Sequence, residues 1–265
     1  MEHSAIIGFF MFALGAIAGR FTNVLIWRLP RRESIVFPGS HCPVCGKHIK
    51  FYDNIPIMSY IILGGKCRNC GAKISPRYIF VEAFIGLAFL VTYIFYDPLS
   101  YIEIIRMMLV LPIFVAITFI DWEHWVIPDE LTIAVAAVGI ATAPLLGGWG
   151  NILDSIIGCA VGLIIFYLVS ILGKKAFRKE ALGEGDIYLM AAVGLLVGWV
   201  GVLLTIFIAA LLGTIGGIVV MLVRKSKKQS DNISTMPFGP FIVIATVIVM
   251  FAGNEIIKAY LSLFE

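Results

Sequence analysis

Two aspartates lie where carboxylates could carry out acid–base chemistry. Asp121 follows an apolar run that ends at Ile120, and Asp186 closes Gly183-Glu184-Gly185-Asp186 just before the next apolar run. Two carboxylates held close in a partly desolvated site share a proton, so one can act as base and the other as acid. Such a pair can activate water against a peptide bond. Gly183 and Gly185 would leave room for a substrate backbone beside Asp186.

The same aspartates also have a purely structural interpretation. Aspartate is a common helix cap, and a membrane boundary is a place where it costs little. Asp129 is a competitor for the position of Asp121, because it follows Ile127-Pro128 and stands at a predicted helix start. The residues by themselves leave these alternatives open.

Four cysteines form the second chemically capable set. They occur as two Cys-x-x-Cys-Gly motifs in the polar segment 30–77, at Cys42, Cys45, Cys67 and Cys70. This spacing suits a tetrahedral zinc site with four thiolate ligands, and the glycine after each motif allows a tight turn. Four thiolates leave no open coordination position, so the predicted role is structural. Two disulfides are the alternative, and His41 and His48 are alternate ligands.

Apolar helices must position both sets. The 265 residues are 60% hydrophobic and 14% charged, whereas a soluble domain has about a quarter charged residues. Many apolar blocks reach the length of about 20 residues that crosses a bilayer as a helix. We therefore predict an all-α polytopic membrane protein with about eight transmembrane helices, near 5–29, 78–96, 101–120, 126–147, 151–172, 187–199, 201–223 and 237–262.

This pattern divides the chain into three predicted parts. Residues 1–29 form the first transmembrane helix, 30–77 form a small zinc-ribbon-like cysteine domain, and 78–265 form a seven-helix transmembrane core. A turn is expected at Gly198-Trp199-Val200-Gly201. Paired small residues predict close helix packing, at Gly15/Gly19, Gly158/Gly162, Gly194/Gly198 and Gly213/Gly217. Polar groups within spans predict salt bridges or packed hydrogen bonds, at Arg20, Asn23 and Glu82.

The basic residues predict the orientation in the membrane. Seventeen of the 20 Lys and Arg fall in the loops 28–77, 173–186 and 224–236. Eight spans put these loops on one side, which the positive-inside rule makes cytoplasmic. Both termini would then lie outside, and Asp121 and Asp186 would lie at the cytoplasmic face. Reduced cytoplasmic thiols favour metal over disulfides. No acidic or basic tail indicates nucleic acid as a partner.

The motifs also occur in a characteristic order along nearly the whole chain. They are Asn23-Val24 with Arg28-Leu29-Pro30, the two cysteine motifs around Tyr52-Asp53-Asn54-Ile55-Pro56, Ser75-Pro76-Arg77-Tyr78, Glu82, Asp121, Ile127-Pro128-Asp129, Gly-x-Gly-Asp at 183–186, and Pro237-Phe238-Gly239-Pro240. This ordered set resembles the type IV prepilin peptidases, which are intramembrane aspartyl proteases of the Gly-x-Gly-Asp type.

The resemblance implies a function and a site. The enzyme would cleave the leader peptide from type IV prepilins or secretion pseudopilins at the cytoplasmic face of the bacterial inner membrane. It would then methylate the new N-terminal amine with S-adenosylmethionine. The resemblance assigns catalysis to Asp121 and Asp186, with Gly183, Gly185 and Asp129 in support, and the metal or structural cluster to the four cysteines.

The sequence leaves two features unassigned. Tyr188 stands where many members of the family have lysine, so any role of that lysine is in doubt here. The sequence has no glycine-rich loop of the type that holds S-adenosylmethionine in soluble enzymes, so the cofactor-binding residues are unassigned. The alternative functions are a membrane transporter or a secretion-system scaffold with a zinc-ribbon docking domain.

Overall fold

The computed structural model describes residues 2–95, 101–177, 182–226 and 236–263, and this part of the chain is helical with no named β-strand. Helices suit a bilayer because they satisfy their backbone hydrogen bonds internally. The predicted all-α class is confirmed. The helices are α1 (Glu2–Arg28), α2 (Met58–Ile62), α3 (Arg77–Phe95), α4 (Tyr101–His124), α5 (Asp129–Phe177), α6 (Glu184–Ser226) and α7 (Gly239–Leu261).

Within the described residues, six helices are long and apolar enough to cross a membrane: α1, α3, α4, α5, α6 and α7. Two of them contain a break in the helical backbone. Helix α5 has 49 residues and breaks at Gly147 and Gly148, and α6 has 43 residues and breaks at Gly198. The second break lies where the turn was predicted. Counting the arms of α5 and α6 separately gives eight helical segments, and the count of eight crossings stays a prediction.

The orientation in the membrane also stays a prediction. Two of the basic loops fall partly outside the described residues, which omit Arg178, Lys179, Lys227 and Lys228.

The chain forms two compact units, Met1–Ala116 and Ile117–Glu265, so α4 begins in the first and ends in the second.

In the first unit, α1 packs directly against α3 through its glycines. A Cβ atom added at Gly15 would lie 2.6 Å from the carbonyl oxygen of Ile85, and one added at Gly19 would lie 2.7 Å from Cα of Glu82. Neither distance leaves room for a side chain, because the atoms that it would meet belong to the backbone of α3. The predicted packing role of this glycine pair is confirmed.

A polar network in the first unit joins the same two helices to the cysteine segment. Arg20 Nη1 donates to Glu82 Oε1 over 3.0 Å, and the backbone N–H of Ile57 donates to Glu82 Oε2 over 2.7 Å. Arg20 also donates to the side chain of Asn54. Asn23 Nδ2 donates to the carbonyl oxygens of Gly19 and Tyr78. The expected salt bridge and hydrogen bonds are therefore present.

In the second unit, close glycine contacts hold α5 against α6. Cβ atoms added at Gly158 or Gly194 would overlap the backbone of the other helix, and one at Gly162 would lie 2.7 Å from the carbonyl oxygen of Met190. Helix α7 approaches α6 at Gly213, where an added Cβ would lie 2.9 Å from the Phe238 ring, whereas Gly217 faces open space. Helix α6 begins at Glu184, so Asp186 lies in its first turn.

Candidate active site and metal centre

The two predicted aspartates line one cavity in the second unit. It has a volume of about 550 Å³, and both Asp121 and Asp186 contribute to its wall. Residues at the end of α4, on α5 and α6, and in the segment just before α7 surround it. The rest of the wall is mostly apolar, and it includes Trp125, Phe166, Val169, Leu182, Ile206, Met236 and Phe238. The fold thus brings two carboxylates that are far apart in sequence into one largely apolar cavity.

Asp121 is fixed by the start of another helix. It lies in the last turn of α4 and is 5% exposed. Its Oδ2 accepts a 3.0 Å hydrogen bond from the backbone N–H of Gly239, the first residue of α7. That N–H has no partner within its own helix, and the positive end of the helix dipole favours a carboxylate there. One oxygen of Asp121 is therefore held in place.

Asp186 is the third residue of α6 and reaches back over the helix start. Its Oδ2 accepts a 3.3 Å hydrogen bond from the backbone N–H of Gly183, as in half of a capping box. Asp186 therefore also caps the start of α6, as its structural interpretation predicted. Its Oδ1, however, is buried and has no hydrogen-bond partner among the described residues. A buried oxygen without a partner is available to a water molecule or a proton.

The supporting residues have distinct positions. A Cβ atom at Gly183 would lie 3.3 Å from Asp186 Oδ2, and one at Gly185 would lie 3.0 Å from Cβ of Ile127. Asp129 is exposed at the first residue of α5 and does not line the aspartate cavity. Tyr188 is 54% exposed. The geometry separates Asp129 from Asp121, which the residue pattern did not do.

Gly239 is a site residue that sequence reasoning missed. The segment Pro237-Phe238-Gly239-Pro240 entered only as a motif, although a Gly-Pro pair before an apolar run marks a helix start with free N–H groups. A Cβ atom at Gly239 would lie 2.6 Å from Asp121 Oδ2. This position therefore requires a residue without a side chain.

The two cysteine motifs fold as matching turns. The backbone N–H of Cys42 donates to the carbonyl oxygen of Lys47, and that of Cys67 donates to the carbonyl oxygen of Ala72. The glycine after each motif has a left-handed backbone, with φ of 68° at Gly46 and 70° at Gly71. The tight turns predicted from the glycines are therefore present in both motifs.

These turns bring four thiols together. The Sγ atoms of Cys42, Cys45, Cys67 and Cys70 all lie within 4.8 Å of one another, and those of Cys42 and Cys70 are 3.8 Å apart. A tetrahedral zinc ion with Zn–S bonds of about 2.3 Å requires sulfur atoms about 3.8 Å apart. Each cysteine in the described residues is free, which agrees with the predicted metal site and not with two disulfides. The cluster fits a zinc ion.

Backbone groups around the cluster favour a thiolate. The N–H groups of Cys70 and Asn69 lower the pKa of the Cys67 thiol to about 7. The Ala72 N–H acts the same way on Cys70, but burial and neighbouring thiols outweigh it and raise the pKa of Cys70 to about 11. Metal binding must therefore displace protons from part of the cluster. His41 and His48 pair with each other through the backbone, are exposed, and do not belong to it.

Comparison with known families divides the chain in two. Residues 13–96 match the model of the bacterial peptidase A24 N-terminal domain, and residues 108–218 match the type IV leader peptidase family. The second match includes both Asp121 and Asp186, and the first includes all four clustered cysteines.

Curated relatives agree over most of the chain. A prepilin leader peptidase/N-methyltransferase from Myxococcus xanthus is 36% identical, over 90% of this chain and 73% of the relative. One with the same name from Pseudomonas aeruginosa is 32% identical, over 94% and 91%. A type 4 prepilin-like proteins leader peptide-processing enzyme from Escherichia coli is 34% identical, over 85% and 87%. No solved structure matches the chain.

Proposed function

This chain belongs to the type IV leader peptidase family, and from that premise we propose that it removes the leader peptide of prepilins with Asp121 and Asp186 as its catalytic pair. The observation that carries the assignment of the pair is their common cavity, in which both carboxylates are buried and each is held by a backbone N–H. Substrates of the pilin and pseudopilin classes both fit this chemistry.

The proposed reaction uses the two carboxylates in opposite roles. The ionised carboxylate takes a proton from a water molecule as the water oxygen attacks the peptide carbonyl carbon. The protonated carboxylate gives its proton to the carbonyl oxygen, and the intermediate then collapses with a proton on the departing nitrogen. The backbone N–H groups of Gly239 and Gly183 keep one oxygen of each aspartate in place. Asp186 Oδ1 remains for the water or the shared proton.

The surroundings of the pair suit a substrate that leaves the bilayer. Asp121 ends a candidate membrane helix and Asp186 begins another, and apolar side chains such as Phe166 and Phe238 line the space between them. A prepilin presents its leader beside an apolar segment, so the cut would fall at the membrane boundary. The basic loops support an inner-membrane orientation with both termini outside and the catalytic pair on the cytoplasmic side.

The cysteine cluster has a proposed structural role. Cys42, Cys45, Cys67 and Cys70 would hold a zinc ion that folds a segment too small to build its own core. With four thiolates it would keep no position open for substrate, so its contribution is to position the residues around it.

The second proposed activity is methylation of the new N-terminal amine, as the names of the relatives state for those proteins. S-adenosylmethionine, when bound, supplies the methyl group. The new amine would have to be neutral so that its lone pair is free to accept the methyl group, and the chain would have to let the released proton reach solvent. The chain must bind this donor and hold the amine in line with it.

Conservative variants of the pair test the peptidase assignment. Asp121→Asn and Asp186→Asn preserve side-chain shape but remove the acid–base function, so each should lower the cleavage rate of a purified prepilin by at least about 10²-fold. Glu130→Gln makes the same carboxylate-to-amide change at an exposed residue of α5, and this control should cleave prepilin at the wild-type rate. All three should insert into the membrane in equal amounts. Cleavage at the wild-type rate by either aspartate variant refutes the pair, and it would favour a transporter or scaffold.

A further inference from the structure

The first unit contains a cavity that the peptidase chemistry does not use. It has a volume of about 270 Å³ and lies between the cysteine turns, α1 and α3. A smaller cavity of about 100 Å³ adjoins it. The two share part of their walls, formed by Arg20, Trp27, His41, Pro43, Ile49 and Tyr78. The two parts together are called the donor cavity.

Aromatic side chains supply flat walls. Trp27 and Tyr78 border both parts of the donor cavity, and Tyr60 borders the larger part. The Tyr60 hydroxyl is directed to the carbonyl oxygen of Ile74 at 3.5 Å, which leaves its ring as the apolar surface. Mostly apolar walls with a few fixed polar groups are typical of cofactor sites, and aromatic rings stack on nucleobases.

A buried acceptor in the smaller part lacks a donor. Asn23 is 1% exposed and lines this part. Its Nδ2 donates hydrogen bonds to the carbonyl oxygens of Gly19 and Tyr78, at 3.3 and 3.1 Å. Its Oδ1 has no hydrogen-bond partner in the described part of the chain. A buried acceptor of this kind is stabilised by a ligand N–H or O–H group, such as a ribose hydroxyl or the amino group of adenine.

The charges around the larger part have both signs. The carboxylates of Glu82 and Asp53 border it, with side chains 2% and 9% exposed, and the exposed Lys47 and Lys73 stand at its rim. A zwitterion with a carboxylate, an ammonium group and a sulfonium group finds partners of both signs here. Glu82 and Asp53 are paired with Arg20 and Arg68, whose guanidinium groups line the same cavity.

The location agrees with the division of the chain. The type IV leader peptidase match covers residues 108–218, with the aspartate pair, whereas the donor cavity lies within residues 20–82, inside the N-terminal match of 13–96. We propose that the donor cavity binds S-adenosylmethionine, with adenosine against Trp27 and Tyr78, a donor group of the ligand on Asn23 Oδ1, and its methionine part among the charged groups. This site rests on the proposed methyltransferase activity.

Photolabelling of the full chain tests the site independently of turnover. Purified zinc-loaded protein in detergent is irradiated with methyl-tritiated S-adenosylmethionine, and the label is mapped after proteolysis. The variants are Trp27→Ala, which removes a wall, and Ile49→Trp, which fills the space shared by both parts. Trp149→Ala removes an exposed tryptophan of the second unit and serves as the matched control. Zinc content and prepilin cleavage report on folding.

The expected results distinguish a failure of the proposed binding site from a failure of the proposed methyltransferase activity. Label should fall within residues 13–96, and each cavity variant should reduce it about tenfold, the typical loss of one stacked base. The same variants should raise the KM for the donor in methyl transfer and still cleave prepilin, while Trp149→Ala behaves as wild type. Label within 117–265, or equal labelling of all variants, overturns the donor cavity. Wild-type protein that cleaves but neither binds the donor nor methylates overturns the methyltransferase function itself.

Discussion

The backbone N–H of Gly239 donates a 3.0 Å hydrogen bond to Asp121 Oδ2, and this bond joins the end of α4 to the first residue of α7. The same contact explains why a glycine stands there. A Cβ atom at position 239 would lie 2.6 Å from the accepting oxygen and 3.2 Å from Cδ1 of Ile127. The carboxylate and the glycine therefore depend on each other's position.

Gly239→Ala should lower the rate of leader cleavage without removing either aspartate. The added methyl group must push the Asp121 carboxylate away, and a displacement of about 1 Å at a catalytic group can cost about 10²-fold in rate. Cleavage of a purified prepilin under saturating conditions measures the change in kcat.

Gly217→Ala is the matched control for this prediction. It adds the same methyl group to a membrane helix, but among the described residues no atom beyond the glycine's own stretch of helix lies within 4 Å of the added Cβ. It should cleave at the wild-type rate. If Gly239→Ala also does so, the hydrogen bond from α7 does not position Asp121 for catalysis.

Local and compositional features of this protein could be predicted from its sequence. Lipid requires long apolar helices, so the membrane class follows from composition, and the glycines after Cys45 and Cys70 specify the two turns. The close packing at Gly15 and Gly158 could also be predicted, because small residues at helical spacing allow membrane helices to approach closely.

Relationships between distant residues could not be predicted in the same way. The donor of Asp121 is 118 residues away in sequence, and nothing local to Asp121 indicates it. The choice between Asp121 and Asp129 likewise needed the family resemblance, because both follow apolar segments, and only the fold sends one to the cavity and the other to the surface. The unpartnered oxygen of Asn23 depends on which carbonyl groups its amide meets, which is a property of the folded chain.

Removal of metal should unfold the cysteine segment and leave the transmembrane helices in place. The segment has short helices at Phe51–Asn54 and Met58–Ile62 and little apolar core of its own, so metal binding is expected to supply its folding free energy. Protein treated with a strong chelator should be cut by added protease within residues 30–77, while circular dichroism stays strongly helical. Because metal binding displaces thiol protons, metal should also be lost as the pH falls.

Cysteine variants make the metal prediction specific. Cys67→Ser should abolish the bound zinc measured by atomic absorption, because three thiolates remain of four. Cys159→Ser, a change of the one free cysteine that the described residues place outside the cluster, should retain it. Equal zinc content in the two variants would contradict the assignment of the four ligands.

Glu82→Ala should destabilise the first unit more than its single ion pair suggests. Glu82 is 2% exposed and accepts from both Arg20 and the Ile57 backbone, so its removal leaves the Ile57 N–H without this acceptor and the partly buried Arg20 guanidinium without its counter-charge, with Asn54 as a neutral partner. Loss of one partner of a buried pair costs about 3 kcal/mol. Thermal unfolding of purified protein in detergent measures the loss.

Two further variants test whether the loss of stability in Glu82→Ala comes from leaving a buried charge without its partner. Glu255→Ala breaks the exposed pair with Lys258, whose side chains are 76% and 73% exposed, and it should have no measurable effect because water screens that pair. Arg20→Leu combined with Glu82→Leu removes both buried charges and should recover part of the stability lost in Glu82→Ala. A double variant less stable than Glu82→Ala would contradict this account.

Gly198→Ala should disturb the break within α6, and with it the packing of both arms on α5. Gly198 has φ of 72° and ψ of 179°, a backbone conformation that a residue with a side chain adopts only at a cost of about 1–3 kcal/mol. The Asp154 carboxylate also occupies the space of the new methyl group. Adding Asp154→Ala removes that clash but not the backbone strain, so the double variant should recover only part of the lost thermal stability. Gly150→Ala, with open space around its Cβ and no unusual φ, should unfold as wild type. Full recovery in the double variant would mean that the clash alone, and not the backbone of the break, requires glycine at position 198.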